Sequence, residues 1–149
     1  MKEKIEAAAT LLQSCTEGFL GTLEDKVPFV SAVSYLYEST ADFQNGLGRI
    51  LILVSDLARH TQNMQKNPQV SLLAVESGTT PVYEKKRVTI QGTAQIIKDE
   101  ERFNLFKARY IKTFPGSAGF FNFGDFRFYE INVTSMHLIS GFGKIETLQ

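Results

Sequence analysis

Between Arg49 and Ser55 the chain reads "RILILVS", five hydrocarbon side chains in an unbroken row. A strand shows alternate residues to opposite faces, so this row cannot be hidden by covering one face alone. The segment therefore reads as a central strand packed on both sides. Immediately after it the chemistry reverses. "SDLARHTQN" (Ser55 to Asn63) packs Ser, Asp, Arg, His, Thr and Asn into nine residues, and Asn67-Pro68 stops the short helix they open.

The flanking segments supply a mainly β context. Ile5, Ala8, Leu12 and Cys15 recur at helical spacing within an Ala-rich stretch, and Gly18 is expected to end that helix. "GFLGTL" and "PFVSAVSYLYE" flank "EDK" as a hairpin, and "ADFQNGLG" is a loop. "VSLLAVE" is a strand, "SGTTPVYE" a loop. "KRVTIQGTAQIIK" (Lys86 to Lys98) alternates cleanly, with Val88, Ile90, Ala94 and Ile96 on one face. Gly92 interrupts it, where a bulge or close backbone approach is expected. Asp99 caps a helix whose apolar stripe is Phe103, Phe106, Tyr110 and Phe114, ended by Pro115-Gly116. An aromatic stretch leads into a strand from about Asp125, and "MHLISGF" closes the series as another. Six or seven strands with three helices predict a small, mainly antiparallel barrel with peripheral helices.

Composition narrows the function classes. The 149 residues, 43% apolar, are sized for one domain with a real core. Sixteen basic and sixteen acidic side chains give no net charge, which removes the footprint of a general nucleic-acid binder. One cysteine and two histidines offer no metal-ligand spacing, and Cys15 reads as a buried structural thiol. No run is long enough to span a bilayer, and "MKEKIEAAAT" lacks a signal-peptide core; the expectation is a cytoplasmic protein without a membrane partner. Nothing resembles a nucleophile elbow or a Cys/His pair.

Three constellations remain. Ser55 can cap the helix, leaving the N–H groups of Asp56, Leu57 and Ala58 to meet a phosphate, with Arg59 as a planar cation and His60 and Thr61 as further donors. Leu57, Thr61 and Met64 share the side expected to pack on the barrel. A solvated helix face, with Arg59 paired to an acid, fits the same residues. Arg87, Thr89 and Gln91 share the polar face of a strand, suited either to a planar heteroaromatic ligand or to plain solvent. His60 and His137 could each ligate haem iron or serve as ordinary polar and core residues.

The order of these elements resembles the FMN-binding split barrels of the pyridoxamine 5'-phosphate oxidase-like superfamily. In the oxidases a Ser-Arg-Lys triplet starts the helix that ends in Asn-Pro, and an Arg-Gln pair begins the later strand. Here these positions hold Ala58-Arg59-His60 and Lys86-Arg87. The haem-utilisation branch (HugZ/HutZ-like proteins) is a closer likeness, through "LARHTQN", "RVTIQG", Asp125-Phe126 and "GFG" at Gly141 to Gly143. The oxidases' C-terminal segment, with its tryptophan and Arg-x-His, has no counterpart. The haem branch takes an iron ligand from a histidine near or beyond the end of the barrel, and no histidine follows Gly143.

The resemblance implies an α+β, mainly β split barrel over residues 18–143, behind an N-terminal helix over 1–16. It implies a homodimer with ligand sites at the interface. FMN phosphate would fall to Ser55, Arg59, His60 and Thr61. Its ring would be lined by Ser31, Ala32 and Val33, with Arg87 and Gln91 near the polar edge. In the haem branch Arg87 and Asp125 match positions near the haem. The leading expectation is an FMN-dependent oxidoreductase acting on a small-molecule substrate or electron donor. The alternative is a haem-binding or haem-degrading protein. A third reading is a flavin or haem carrier or sensor without turnover. No residue stands out as a catalytic acid or base.

Overall fold

A computed structural model of the chain describes residues 2–39, 46–141 and 143–149. Most of the loop expected over 41–48, and Phe142 of the last expected strand, lie outside the described residues. The elements run α1 (Lys2–Ser14), β1 (Glu17–Glu24), β2 (Val27–Glu38), β3 (Arg49–Ser55), α2 (Arg59–Lys66), β4 (Gln69–Val75), β5 (Arg87–Ile96), α3 (Glu100–Thr113), β6 (Phe126–Gly141) and β7 (Lys144–Leu148). The sheet order is β3-β2-β1-β4-β5-β6-β7, and β3 also pairs with β6. That pairing closes six antiparallel strands into a barrel, with β7 continuing beyond it along β6.

The apolar row of β3 is covered twice. Ile50, Ile52 and Val54 belong to the core inside the barrel, together with Leu12 of α1, Leu72 and Ile90. Leu51 points outward into a second cluster with Ile97, Phe106, Tyr110 and Phe128, beneath α3. Asp99 caps α3 by accepting from the Glu101 N–H at 3.2 Å. Four ion pairs hold the helix and strands in place. Arg49 bridges Glu38 at 2.9 Å and Glu130 at 3.1 Å, while Arg109 reaches Glu38 and Arg102 reaches Glu130, each at 2.5 Å.

Several sequence expectations change. Gly18 does not end α1, which stops at Ser14; it lies inside β1, where an added Cβ would meet the Leu72 side chain at 2.9 Å. The two last expected strands are one, because β6 runs unbroken for 16 residues, pairing first with β3, then with β5 and β7. β7 was not expected at all; "KIETL" pairs Thr147 with His137 and Ile145 with Ile139. The loop before β5 contains a 3-10 turn, Val82–Glu84. The bulge expected at Gly92 is present: Gln91 faces Ser135 and Gly92 faces Val133, so Thr134 is the extra residue.

The sheet from β2 through β7 leaves one outer face open. Phe19, Val30 and Ile145 on that face are 48%, 65% and 59% exposed. By register they share it with Ala32, Ser71, Leu73, Thr89, Gln91 and His137. Among the described residues, no helix is long and apolar enough to cross a membrane.

At Gly92 two backbones approach closely in the barrel wall. A Cβ there would collide with the Asn132 carbonyl oxygen and lie 2.8 Å from Ile131 Cγ2. Gly92→Ala is therefore expected to destabilise the fold by about 1–3 kcal/mol in chemical denaturation. Gly116→Ala, with nothing within 4 Å of the added atom, should leave the midpoint unchanged.

Candidate functional site

The turn between β3 and α2 is built by Ser55 and Asp125. The Ser55 hydroxyl donates to Asp125 Oδ2 at 2.8 Å and accepts from the Leu57 N–H at 3.1 Å. The Asp56 N–H donates to the Asp125 carbonyl at 2.7 Å, and the Ala58 N–H to the Ser55 carbonyl at 3.1 Å. All three N–H groups expected to face a phosphate are thus bonded within the protein. Ser55 caps this turn rather than the helix. α2 itself begins at Arg59, and its N-cap, Ala58, makes no side-chain cap bond. Intrahelical partners are then lacking for the N–H groups of Arg59, His60 and Thr61 instead.

A cavity of about 280 Å³ opens beside this turn. It is lined by Ala32, Val33 and Ser34 of β2, Leu53 to Ser55 of β3, Ala58 and His60, together with Tyr110, Phe120 and Phe126. Four residues singled out from the sequence, Ala32, Val33, Ser55 and His60, meet here. His60 is half-buried, and burial lowers its pKa from the ordinary imidazole value. Among the described residues its ring makes no hydrogen bond or ion pair. Burial pushes the Tyr110 hydroxyl up to about 12, so it stays protonated; it donates to the Ser34 carbonyl at 3.4 Å. Phe120 and Phe126 stack with centroids 5.0 Å apart and planes 5° from parallel.

The other sequence candidates lie elsewhere. Ser31 pairs opposite Leu20, on the barrel's inward side. Arg59 holds Glu24, with Nε at 2.9 Å from Oε2, and lies 4.3 Å over the Phe29 ring. Thr61 is fully buried with its hydroxyl unpaired, so it is no surface donor. Thr61 and Met64 pack on the barrel as expected, but Leu57 does not: the turn swings it out, 78% exposed. Arg87 donates to the carbonyls of Val82 and Lys85 at 2.7 and 3.1 Å, tying down the loop before β5. The Gln91 side-chain oxygen accepts from Ser135 at 3.1 Å, and His137 Nδ1 lies 2.9 Å from the Thr147 hydroxyl; both sit on the open sheet face.

Sequence reasoning missed the aromatic part of the lining. Tyr110 belongs to the apolar stripe of α3, and Phe120 and Phe126 to a stretch read only as the approach to a strand. Local periodicity says that such residues are buried or partly buried; it does not say against what. The Arg59–Glu24 pair was open as one alternative, without the acid identified.

Residues 5–140 match the family described as pyridoxamine 5'-phosphate oxidase. Over 138 residues the chain is 28% identical to the chloroplastic heme oxygenase HOZ of Arabidopsis thaliana, covering 92% of this chain and 40% of that protein. It is 27% identical over 110 residues to the heme oxygenase HutZ of Vibrio cholerae, covering 71% of this chain and 62% of that one. The chain thus spans only part of the length of both curated relatives. Its fold is similar to that of a heme-binding protein from Mycobacterium smegmatis, with a TM-score of 0.82 at 24% identity, covering 97% of this chain and 57% of the other.

Because burial favours neutral His60, the folded chain binds fewer protons there than the unfolded chain once the pH falls below the ordinary imidazole value of about 6.5. Its contribution to stability is complete above that pH. The loss begins near it and continues down to the lowered value. His60→Asn should therefore lose less stability than the parent between about pH 7.5 and about pH 5.5, measured by denaturant unfolding at each pH.

Proposed function

Since the chain belongs to the pyridoxamine 5'-phosphate oxidase family, we propose that its cavity is one wall of a haem site and that the protein binds haem in haem utilisation. His60 carries this reading. It is an imidazole kept uncharged by burial, making no hydrogen bond to the described residues, and set beside Leu53, Val54, Tyr110, Phe120 and Phe126. A neutral ring nitrogen is the form in which histidine ligates haem iron, and aromatic walls suit a flat, largely apolar macrocycle. Two relatives carry heme oxygenase in their names, which supports the same ligand class. Bound haem would supply a redox-active iron. The chain would supply the iron ligand, the apolar bed, and a polar rim in Ser55 and Asp125.

The cavity is too small to enclose such a ring, since pockets that bury even drug-sized ligands hold about 300–1,000 Å³. Ala32 lines the cavity and also belongs to the open sheet face by register. A second copy seated on that face would cover the remainder of the ring, as a homodimer with two equivalent sites. The face is apolar enough for this role, with Phe19, Val30 and Ile145 exposed on it.

A flavin reading has one specific observation in its favour. Ala32, Val33, Ser55 and His60, the residues expected around FMN, meet in a single cavity at the head of α2. It would make the protein an FMN-dependent oxidoreductase with a small-molecule substrate or electron donor. The bonded N–H groups of Asp56, Leu57 and Ala58 count against it.

Titration with haemin tests the main reading. The parent should give a saturable Soret band. His60→Ala should weaken binding at least about tenfold, as loss of a metal-site residue does. His137→Ala, outside the cavity though on the face proposed for the second copy, should keep the Soret position of the parent. An unchanged band in His60→Ala would overturn His60 as the ligand. Decay of the band on adding a reductant in air would indicate degradation, and a persistent band a carrier.

For the assembly, Val30→Asp places a charge on the open face and should convert a dimer into a monomer in sedimentation. Equal masses for the two proteins would remove that face from the interface.

A further inference from the structure

Arg59 sits between Ala58 and His60, which both line the cavity, yet its own side chain leaves the cavity wall. The guanidinium lies over the Phe29 ring at 4.3 Å and grips Glu24 with two bonds, Nε to Oε2 at 2.9 Å and Nη2 to Oε1 at 2.5 Å. Phe29 and Glu24 both belong to the β1–β2 hairpin, on paired strands. A guanidinium fork donates to two oxygens of a carboxylate in the same way as to two oxygens of a phosphate. In this fold the carboxylate is already there.

We propose that Glu24 is a specificity-determining residue: an internal anion that occupies Arg59 and so selects against phosphate-bearing ligands at the head of α2. The inference rests on the cavity being the ligand site, as in the reading above, but not on which ring the ligand carries. The N–H groups of Arg59, His60 and Thr61 at the helix head have no intrahelical acceptor, so Arg59 is the cation that an anion there would need; the turn before the helix adds no further donors. The N–H groups of Asp56, Leu57 and Ala58 are bonded within the turn, and the Asp56 carboxylate adds a negative charge there, 3.3 Å from Arg127. Hydrogen bonding from Arg59 holds the Glu24 carboxyl below its ordinary value, so the clamp stays charged across the neutral range. The pair is exposed, with 63% of the Arg59 side chain accessible. Exposed pairs typically shift an equilibrium by only about two- to fivefold, so the selection is graded rather than absolute.

FMN and riboflavin separate the phosphate from the ring, since they differ only in that group. Each is titrated by flavin fluorescence against the parent, Glu24→Gln, Asp25→Asn, and the double variant Glu24→Gln/Arg59→Ala. Asp25→Asn makes the same change of net charge one residue along the hairpin, and asparagine tolerates the positive φ of 56° at that position.

The expected result is that Glu24→Gln tightens FMN about three- to fivefold relative to riboflavin. Asp25→Asn should leave the ratio unchanged, and the double variant should lose the gain. An unchanged FMN-to-riboflavin ratio in Glu24→Gln overturns the proposal, as does a gain that survives removal of Arg59 or appears equally in Asp25→Asn. Absence of FMN binding by Glu24→Gln also overturns it, while leaving the haem reading intact if haemin still titrates. Conversely, a gain for FMN with no haemin binding by the parent would keep Glu24 in this role and remove the haem reading.

Discussion

Seven residues of β3, Arg49 to Ser55, pair with Asn132 to Phe126 of β6, and that ladder turns a sheet into a barrel. Without it the order β3-β2-β1-β4-β5-β6-β7 would be an open sheet, with β3 and the first half of β6 left as unpaired edges. The closure also fixes where the cavity can be. Ser55 ends one strand opposite Phe126 at the start of the other, so Asp125 falls beside the Ser55 hydroxyl and Phe126 beside the head of α2. The candidate site is the lip of the barrel's own seam.

The place of Tyr110 in the lining depends on a second interaction, the docking of α3. Phe106 is buried against the outer cluster of Leu51 and Phe128. The guanidinium groups of Arg49, Arg102 and Arg109 lie around its ring at 5.1, 5.5 and 5.9 Å. Glu38 and Glu130 tie those arginines to β2 and β6. Breaking one partner of such a network leaves an uncompensated charge at a part-buried site. The network thus ties α3, which carries Tyr110, to β2 and β6.

Much of the barrel was legible in the sequence because its strands obey period two. The alternation of "RVTIQGTAQI" predicted which side of β5 is buried, and the apolar row of β3 predicted cover on both faces. What escaped was long-range. "FRFYEINVTSMHLISG" reads as two strands because Thr134 breaks the alternation, yet it is one strand with a bulge. Gly18 looked like a helix stop, but its small size serves contact with Leu72 across the core. The polar turn stands out in the sequence, but the partners of its hydrogen bonds do not. Nothing local to Ser55 reveals that Asp125, 70 residues away, takes its hydroxyl.

Those bonds bear on the chemistry of the site. A helix head serves as an anion site when its first N–H groups and a nearby cation are unoccupied. Here the turn before the helix bonds the N–H groups of Asp56, Leu57 and Ala58, Glu24 holds the cation, and the Thr61 side chain is turned inward. The first N–H groups of the helix itself, at Arg59, His60 and Thr61, keep no intrahelical acceptor. What lines the cavity is mainly uncharged: aliphatic side chains, two stacked phenylalanines, a protonated tyrosine, two serines and an imidazole whose burial favours its neutral form. Such a lining offers shape and a neutral ring nitrogen, and among the described residues it holds no cation or carboxylate. A phosphate placed there would meet the N–H groups of Arg59, His60 and Thr61 without a free cation beside them, because the Arg59 guanidinium is held by Glu24.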